Sequence, residues 1–317
     1  MIDFLKKIGV WLLSIISVIV LFSFLPISKD YVYHKFEETQ YNKINWFLQK
    51  VESGDFKDKQ YKGVFLGSSQ CYYGINDSIL GPDYLNFGMN TPSRDLDLFM
   101  YSKFKEAGGK ADSLYIAFDG QQIVSYGIHP LMPYLVSPNW MLNRGQSLWS
   151  LHFWKFVIIR AQKSISALLY SYGNHKEFNR LYGVGYLNHR INPKRKANNE
   201  NIKGVVLNKY NEEEMVTFWD EFRHNIKSQW RFINSISTRD NTVILLLPGF
   251  SSTENYIQTT RNAQSIPWIK AKKYLAIDSF GKCVSDPVYW ADPGHMNKDG
   301  AEKYSKDLKI KFEKKKD

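Results

Sequence analysis

The sequence predicts an α/β fold that is built on a parallel sheet and preceded by a membrane-spanning helix. Short apolar segments that end in glycine, aspartate or proline alternate with helical segments near both ends of the chain. Strands of this kind, separated by helices, are typical of a parallel sheet that is covered on both faces. We therefore expect a three-layer αβα sandwich that is interrupted by a helical insertion at residues 124–210.

The membrane helix is predicted within residues 1–28. Lys6 and Lys7 precede an uncharged stretch of eighteen residues that Pro26 closes. At about 1.5 Å per residue, such a helix roughly spans the hydrocarbon core of a bilayer. A cleaved signal peptide is the alternative, but bulky residues follow the stretch where cleavage needs small ones. The lysines predict a cytoplasmic N-terminus and an extracytoplasmic remainder.

Beyond the membrane helix we expect a helical spacer at residues 29–60 and one domain at residues 61–317. The alternation predicts five strands, at residues 63–67, 83–87, 114–118, 242–247 and 274–277. Helices are expected at residues 69–80, 93–106, 148–172 and 211–236, and from about residue 298 to the C-terminal tail. Arg160 and Lys163 argue against a membrane crossing by the long helix of the insertion.

The charge and the cysteines leave alternatives open. The net charge is +11, partly from lysines in a loop near residue 195 and in the C-terminal tail. These lysines form either an ordinary solvated surface or one that attracts an anionic membrane or an acidic envelope polymer. No nucleic-acid motif is present, so we expect no nucleic-acid partner for a domain outside the cytoplasm. Cys71 and Cys283 form either a disulfide or two free thiols.

A glycine-serine-serine turn follows the first predicted strand. Because the carboxyl ends of parallel strands gather at one edge of a sheet, Ser69 is expected at the edge where active sites are built. Its position before a helical turn also provides backbone N–H donors. Ser68 is the rival nucleophile, and either serine would also serve as an ordinary helix cap.

The second segment is Asp292-Pro293-Gly294-His295, near the C-terminus. The Pro-Gly pair favours a turn that folds the carboxylate back towards the imidazole. Asp292 would then hold one ring nitrogen of His295 while the other nitrogen faces a serine. Ser69, Asp292 and His295 together have the residue types of a nucleophile, an orienting acid and a general base. A turn with a capping aspartate is the structural alternative.

Three blocks together resemble the SGNH hydrolases, also called GDSL-like lipases and esterases. The blocks are Leu66-Gly67-Ser68-Ser69, Asn86-Phe87-Gly88 and Asp292-Pro293-Gly294-His295. The resemblance implies a flavodoxin-like sandwich with Ser69 as the nucleophile and Asp292 and His295 as its triad partners. With Gly74-Ile75-Asn76, the chain looks like the membrane-anchored envelope branch, which includes proteins of teichoic-acid D-alanylation and alginate acetylation.

The oxyanion hole departs from the pattern of this family. The resemblance implies that the Gly88 N–H donates to the oxyanion, together with the backbone N–H of Ser69. The third block of the family carries a donor asparagine after a strand, and this chain has Ala117 to Gln122 there without one. Gln121 or Asn90 is expected to replace it. Loss of one such donor costs about 10²–10³ in rate.

These features predict a serine esterase or O-acyltransferase that acts on acyl groups of cell-envelope glycans. It would need no cofactor and no metal ion, and the resemblance implies a membrane-bound O-acyltransferase as its partner. The alternative is a non-catalytic SGNH-like subunit that binds glycan or scaffolds an acylation complex. An anchored α/β domain in which Asp-x-x-His occurs by chance is the third interpretation.

Overall fold

The structure, a computed structural model, describes most of the chain outside residues 174–240. The described residues are 2–38, 42–89, 95–118, 129–143, 147–173, 241–248, 273–275, 278–283, 285–292 and 295–314. They fall into two compact units, which are Met1–Asn45 with Ile128–Tyr182 and Trp46–Gly127 with Gly183–Asp317. The helix expected at residues 211–236 and the second half of the expected insertion lie outside the described residues.

Helices and strands alternate along the described chain as the sequence pattern predicts. The helices are α1 (Ile2–Phe24), α2 (Lys29–Glu38), α3 (Asn42–Glu52), α4 (Ser69–Gly74), α5 (Asp77–Leu80), α6 (Asp95–Glu106), α7 (Met132–Leu135), α8 (Pro138–Asn143), α9 (Leu151–Gly173) and α10 (Lys298–Glu313). The strands are β1 (Gln60–Tyr61), β2 (Gly63–Leu66), β3 (Tyr84–Asn86), β4 (Lys110–Ala111), β5 (Leu114–Phe118), β6 (Thr242–Leu246), β7 (Lys273–Leu275), β8 (Trp290–Asp292) and β9 (His295–Met296).

A five-stranded parallel sheet forms the centre of the second unit. Its strand order is β3-β2-β5-β6-β7, and every neighbouring pair is parallel. Phe65 lies at the register position between Asn86 on β3 and Tyr115 on β5. The predicted mixed α/β fold and its parallel sheet are therefore confirmed, and the five predicted strands are these five. Short apolar runs form these strands because the strands of a parallel sheet are buried on both faces, which favours continuous apolar sequence.

The core of this unit lies between the sheet and α10. Ala301, Tyr304 and Leu308 recur at helical spacing along α10, and all three are fully buried. Phe312, one turn further on, stacks on Tyr84 of β3 with ring centroids 5.2 Å apart. Burial of each large side chain contributes about 1.5–3 kcal/mol, so this face holds the C-terminal helix firmly to the sheet.

The other unit is helical, and its first helix has the character of a membrane span. Lys6–Phe24 of α1 covers 19 residues and is long and apolar enough to cross a membrane. Helices α7, α8 and α9 pack together, and α9 also packs against α1 and α2. The expected N-terminal helix of membrane-spanning length is therefore present.

Arg160 of α9 ties the end of α1 to the helix that packs against it. Its guanidinium donates to the carbonyl oxygens of Ser23 at 3.4 Å, Leu25 at 3.1 Å and Pro133 at 2.6 Å. Burial lowers the pKa of Arg160 to about 10, so the side chain keeps its charge at neutral pH. A cation suits this place because the last carbonyls of a helix lack intrahelical partners and carry partial negative charge.

Candidate active site

The strand order places one sheet edge in the position where doubly wound folds bind ligands. Counted along the chain, the five strands lie in the order 2-1-3-4-5, which reverses between β2 and β5. In such sheets the binding crevice lies beyond the carboxyl ends of the strands at that reversal. Gly67 and Ser68 follow β2 directly and lead into α4 at this point.

Close packing explains the glycine of the turn. A Cβ atom on Gly67 would lie 2.6 Å from the Cβ of Cys71 and 2.7 Å from the Cβ of Ala117. Both separations are far below van der Waals contact, so a larger residue would push α4 away from β5. The glycine therefore lets the helix that follows the turn approach the sheet closely.

The two serines of the turn have different places in the structure. Ser68 is the N-cap of α4, and its side chain accepts a hydrogen bond from the Gln70 N–H at 3.3 Å. Ser69 is the first residue of α4, and its hydroxyl oxygen lies 2.8 Å from Nε2 of His295. The structure therefore gives Ser68 the place of a helix cap and sets the His295 imidazole within hydrogen-bond reach of Ser69, whose role as the nucleophile stays a prediction.

His295 reaches Ser69 from 226 residues away along the chain. It begins β9, and α4 packs against this strand. The ring of Tyr73 meets the imidazole edge to face, with centroids 5.6 Å apart and planes at 89°. Behind the strand, Asn297 caps α10 by accepting from the Gly300 N–H at 2.9 Å. A buried helix, a strand and an aromatic ring therefore fix the imidazole beside the hydroxyl.

Asp292 lies next to His295 across a short antiparallel ladder. Strands β8 and β9 pair with Asp292 opposite His295, and the ladder is irregular between Trp290 and Asp292. The two strands therefore run in opposite directions, with the backbones of Asp292 and His295 paired. The role of Asp292 as the orienting acid stays a prediction.

Asn86, at the end of β3, is a positioning residue whose role sequence reasoning missed. Its side-chain amide donates to the carbonyl oxygens of Cys71 at 3.0 Å and Ile75 at 2.7 Å. Its side-chain oxygen accepts from the Gly88 N–H at 2.8 Å, and its own N–H donates to Asp77 at 3.0 Å. This fully buried side chain therefore ties the end of β3 to the helix that begins with Ser69. An asparagine at the end of an apolar strand was the available signal.

Of the expected oxyanion donors Gly88, Asn90 and Gln121, the structure describes Gly88. The Gly88 N–H is already engaged by Asn86, so it does not stand ready for an oxyanion in this structure. Gly88 is needed for space instead, because its Cβ would lie 2.7 Å from Sγ of Cys71 and 2.9 Å from the backbone N of Tyr72. Asn90 and Gln121 lie outside the described residues.

The backbone N–H of Ser69 is a candidate donor to a substrate oxygen. Among the residues that the structure describes, this N–H donates no hydrogen bond. It belongs to the first turn of α4, where N–H groups have no intrahelical acceptor. A carbonyl oxygen that is bound next to the Ser69 hydroxyl would therefore meet this donor.

Both cysteines are free thiols. Cys71 is buried beneath the turn, with its Sγ 3.5 Å from the side-chain oxygen of Asn86. Cys283 is half-buried, and this burial raises the pKa of its thiol. Of the two alternatives from the sequence, the structure has the unbonded one. Within the described ranges, no group of three or more His, Cys, Asp or Glu residues is placed to hold a metal ion.

The local geometry is the available guide to the chemistry of this protein. In comparisons with family models, curated proteins and solved structures, the chain matches none of them. The structure brings Ser69 and His295 together and pairs the backbone of Asp292 with that of His295. A hydroxyl, an imidazole in contact with it and an open N–H beside it form an arrangement suited to acyl transfer.

Proposed function

We propose that this protein is a membrane-anchored serine esterase or O-acyltransferase that acts on acyl groups of cell-envelope glycans. The distance of 2.8 Å between the Ser69 hydroxyl oxygen and Nε2 of His295 carries the proposal. The two residues come from opposite ends of the domain sequence, and the fold brings them together at the sheet edge where ligands bind. A serine is a useful nucleophile when a base can take its proton at this range.

The reaction proceeds in two halves. Ser69 attacks the acyl carbonyl carbon while Nε2 of His295 takes the hydroxyl proton. Collapse of the tetrahedral intermediate breaks the ester bond, and His295 returns the proton to the departing alcohol, which leaves an acyl-Ser69. Water or a glycan hydroxyl then gives its proton to His295 and takes the acyl group, which restores the serine.

The remaining polar groups of the site support this chemistry in the proposal. Asp292 would orient the imidazole and stabilise its charged form, since the backbone pairing holds the two residues opposite each other. The Ser69 N–H would donate to the oxyanion. Asn90 and Gln121 remain the proposed second donors in place of Gly88, whose N–H is bound to Asn86.

The resemblance to the SGNH hydrolases supplies the finer features of the proposal. The strand order 2-1-3-4-5 and the helices on the sheet are consistent with a three-layer sandwich. We further propose a single membrane crossing by α1, with Lys6 and Lys7 on the cytoplasmic side and the catalytic domain outside. A membrane-bound O-acyltransferase is the proposed partner.

Hydrolysis of an acetyl ester by the full-length protein in detergent micelles tests the proposal. Ser69→Ala should reduce turnover to the background rate, because no nucleophile remains. His295→Gln should reduce it by about 10²–10⁴, the usual contribution of general base catalysis. Ser68→Ala is the matched control: it removes the neighbouring hydroxyl and a helix cap worth about 1 kcal/mol, but it leaves the nucleophile in place. Undiminished turnover by Ser69→Ala, or equal loss in both serine variants, would contradict the assignment.

The alternative is a non-catalytic subunit that binds glycan or scaffolds an acylation complex. The engagement of the Gly88 N–H by Asn86 favours it, because a site without a second oxyanion donor is a weak catalyst. The two functions differ in the reactivity of Ser69. The non-catalytic function would be supported if neither the unmodified protein nor Ser69→Ala showed turnover and both bound glycan with the same affinity.

A further inference from the structure

The N-terminal end of α9 exposes large apolar side chains. Leu151, the first residue of the helix, is 85% exposed, and Trp149 just before it is 94% exposed. Leu148 is also more than half exposed. Single exposed apolar residues are ordinary, but three within four positions, one of them tryptophan, form a patch that needs an occupant.

Hydrogen bonds fix the position of α9 along the axis of α1. Arg160 donates to the carbonyl oxygens of Ser23 and Leu25, and the hydroxyl of Ser164, one turn later, bonds to the Leu25 carbonyl at 3.4 Å. Farther along α9, Tyr170 packs against Tyr31 of α2 with ring centroids 5.3 Å apart. Residues 23–31 and residues 160–170 therefore run in the same direction. The part of α9 before Arg160 consequently lies alongside α1.

This register places the exposed patch inside the bilayer that α1 crosses. The 19 residues of Lys6–Phe24 extend about 28 Å, close to the thickness of the hydrocarbon core, so Phe24 lies near one boundary. Leu151 comes nine residues before Arg160, which is about 13 Å along the helix axis. Even if the helices cross at about 50°, Leu151 still lies about 9 Å below that boundary.

Several polar groups at this end of α9 are hydrogen-bonded, which lowers the cost of a lipid environment. The hydroxyl of Ser150 accepts from the Phe153 N–H at 3.1 Å, and that of Ser147 accepts from the Trp149 N–H at 3.1 Å. The indole N–H of Trp154 donates to the Leu148 carbonyl at 2.8 Å. Main-chain donors at the start of a helix are costly in lipid, and here serine side chains bind those of Trp149 and Phe153.

The charges of α9 also fit a shallow insertion. Lys155 lies five residues before Arg160, so its long side chain can place its ammonium group in the headgroup region. Arg160 itself is buried against the end of α1 and binds carbonyl oxygens. Lys163 lies on the other side of Arg160, where its ammonium group is 5.1 Å from the centre of the Tyr134 ring. Residues 147–154 contain no Lys, Arg, Asp or Glu, and their one ionisable side chain, His152, can enter lipid as the neutral imidazole.

We propose that residues 148–154 form a second membrane element, which inserts among the lipid acyl chains of the leaflet at the C-terminal end of α1. The helix does not cross the bilayer: it enters from the boundary at Arg160 and ends within the leaflet. The inference rests on α1 as a membrane span and is independent of the chemistry at Ser69. The helical unit would then contact lipid through residues 148–154 of α9 as well as through α1.

Spin labels at two matched leucines of α9 test the insertion. Leu151 and Leu169 are both exposed, at 85% and 70%. They lie nine residues before and nine after Arg160, and their separation of eighteen residues is five helical turns, so they share one face. Leu151→Cys and Leu169→Cys are each made in full-length protein that carries Cys283→Ser, labelled with a nitroxide and reconstituted into phosphatidylcholine–phosphatidylglycerol vesicles. Trp11→Cys in α1 provides the lipid reference.

Collision rates with oxygen, which partitions into lipid, and with a water-soluble nickel chelate distinguish the environments. The label at Leu151 should give an oxygen-to-nickel ratio close to that of Trp11 and at least about threefold higher than that of Leu169. A water-like ratio at Leu151 beside a lipid-like ratio at Trp11 overturns the proposal. Low collision rates of Leu151 with both reagents overturn it as well, because they indicate a protein partner on the patch.

Discussion

Replacement of Asn86 by alanine tests whether this side chain holds the nucleophile helix in place. Three strong side-chain hydrogen bonds disappear, to the carbonyl oxygens of Cys71 and Ile75 and from the Gly88 N–H, together with a weak one from the Cys71 thiol. Each such bond contributes about 1 kcal/mol net, so we expect a loss of about 3 kcal/mol in the free energy of unfolding. The Gly88 N–H would also be released from its present acceptor.

Urea unfolding in detergent micelles, followed by the fluorescence of tryptophans that include the fully buried Trp290, measures this loss. Gln60→Ala is the control, because Gln60 is an exposed amide whose side chain bonds to Asp112 at the surface. It should change stability by less than about 0.5 kcal/mol. If Asn86→Ala proved as mild as Gln60→Ala, Asn86 would not be the residue that fixes α4 to β3.

Three further predictions concern the packing, a buried hydrogen bond and a buried histidine of the fold. Gly88→Ala should lower the free energy of unfolding by about 1–3 kcal/mol, because the added Cβ would lie 2.9 Å from a neighbouring backbone nitrogen. Gly74→Ala is the control, since its Cβ would have its nearest contact at 3.6 Å, and it should change stability by less than about 1 kcal/mol. Equal melting temperatures of the two variants would contradict this prediction. Ser305→Ala removes the hydroxyl that accepts from the buried Asn76 N–H at 2.8 Å, so urea unfolding should show a loss of about 1–3 kcal/mol, and an unchanged midpoint would count against that bond. Burial lowers the pKa of His129 from 6.5 to about 4, so the unfolded chain binds the proton more tightly and stability should fall as the pH drops from 6.5 towards 4. At pH 5 the loss is about 2 kcal/mol relative to neutral pH, and melting curves from pH 7.5 to 5 should show it in the unmodified protein but not in His129→Asn.

Much of the sheet could be predicted from the sequence because its strands carry their own signals. Residues 63–67 and 242–247 are apolar runs that end in glycine or proline, and the structure has strands at Gly63–Leu66 and Thr242–Leu246. The beginning of α10 was equally readable, since Asn297 is a good N-cap and an apolar stripe follows it. These features are local, so the sequence pattern contains them.

Long-range contacts could not be predicted in the same way. The choice between Ser68 and Ser69 as the nucleophile depends on where α4 begins, which is at Ser69. It also depends on the His295 imidazole, which lies 226 residues away along the chain. The roles of Asn86 and Arg160 depend on carbonyl oxygens of other elements, which have no signature in sequence. The hydrogen bond of the Gly88 N–H could not be predicted for the same reason, because its acceptor is a side chain whose direction only the fold determines.

The most direct test of the central claim is the covalent reactivity of Ser69 towards a fluorophosphonate, measured by intact mass and peptide mapping. A serine activated by His295 should form one adduct on Ser69. The adduct should be absent in Ser69→Ala, slower by about 10²-fold or more in His295→Gln, and retained in Ser68→Ala. Folded protein that forms no adduct at Ser69, or an adduct that forms equally fast without His295, would contradict the claim that this pair is a working nucleophile and base.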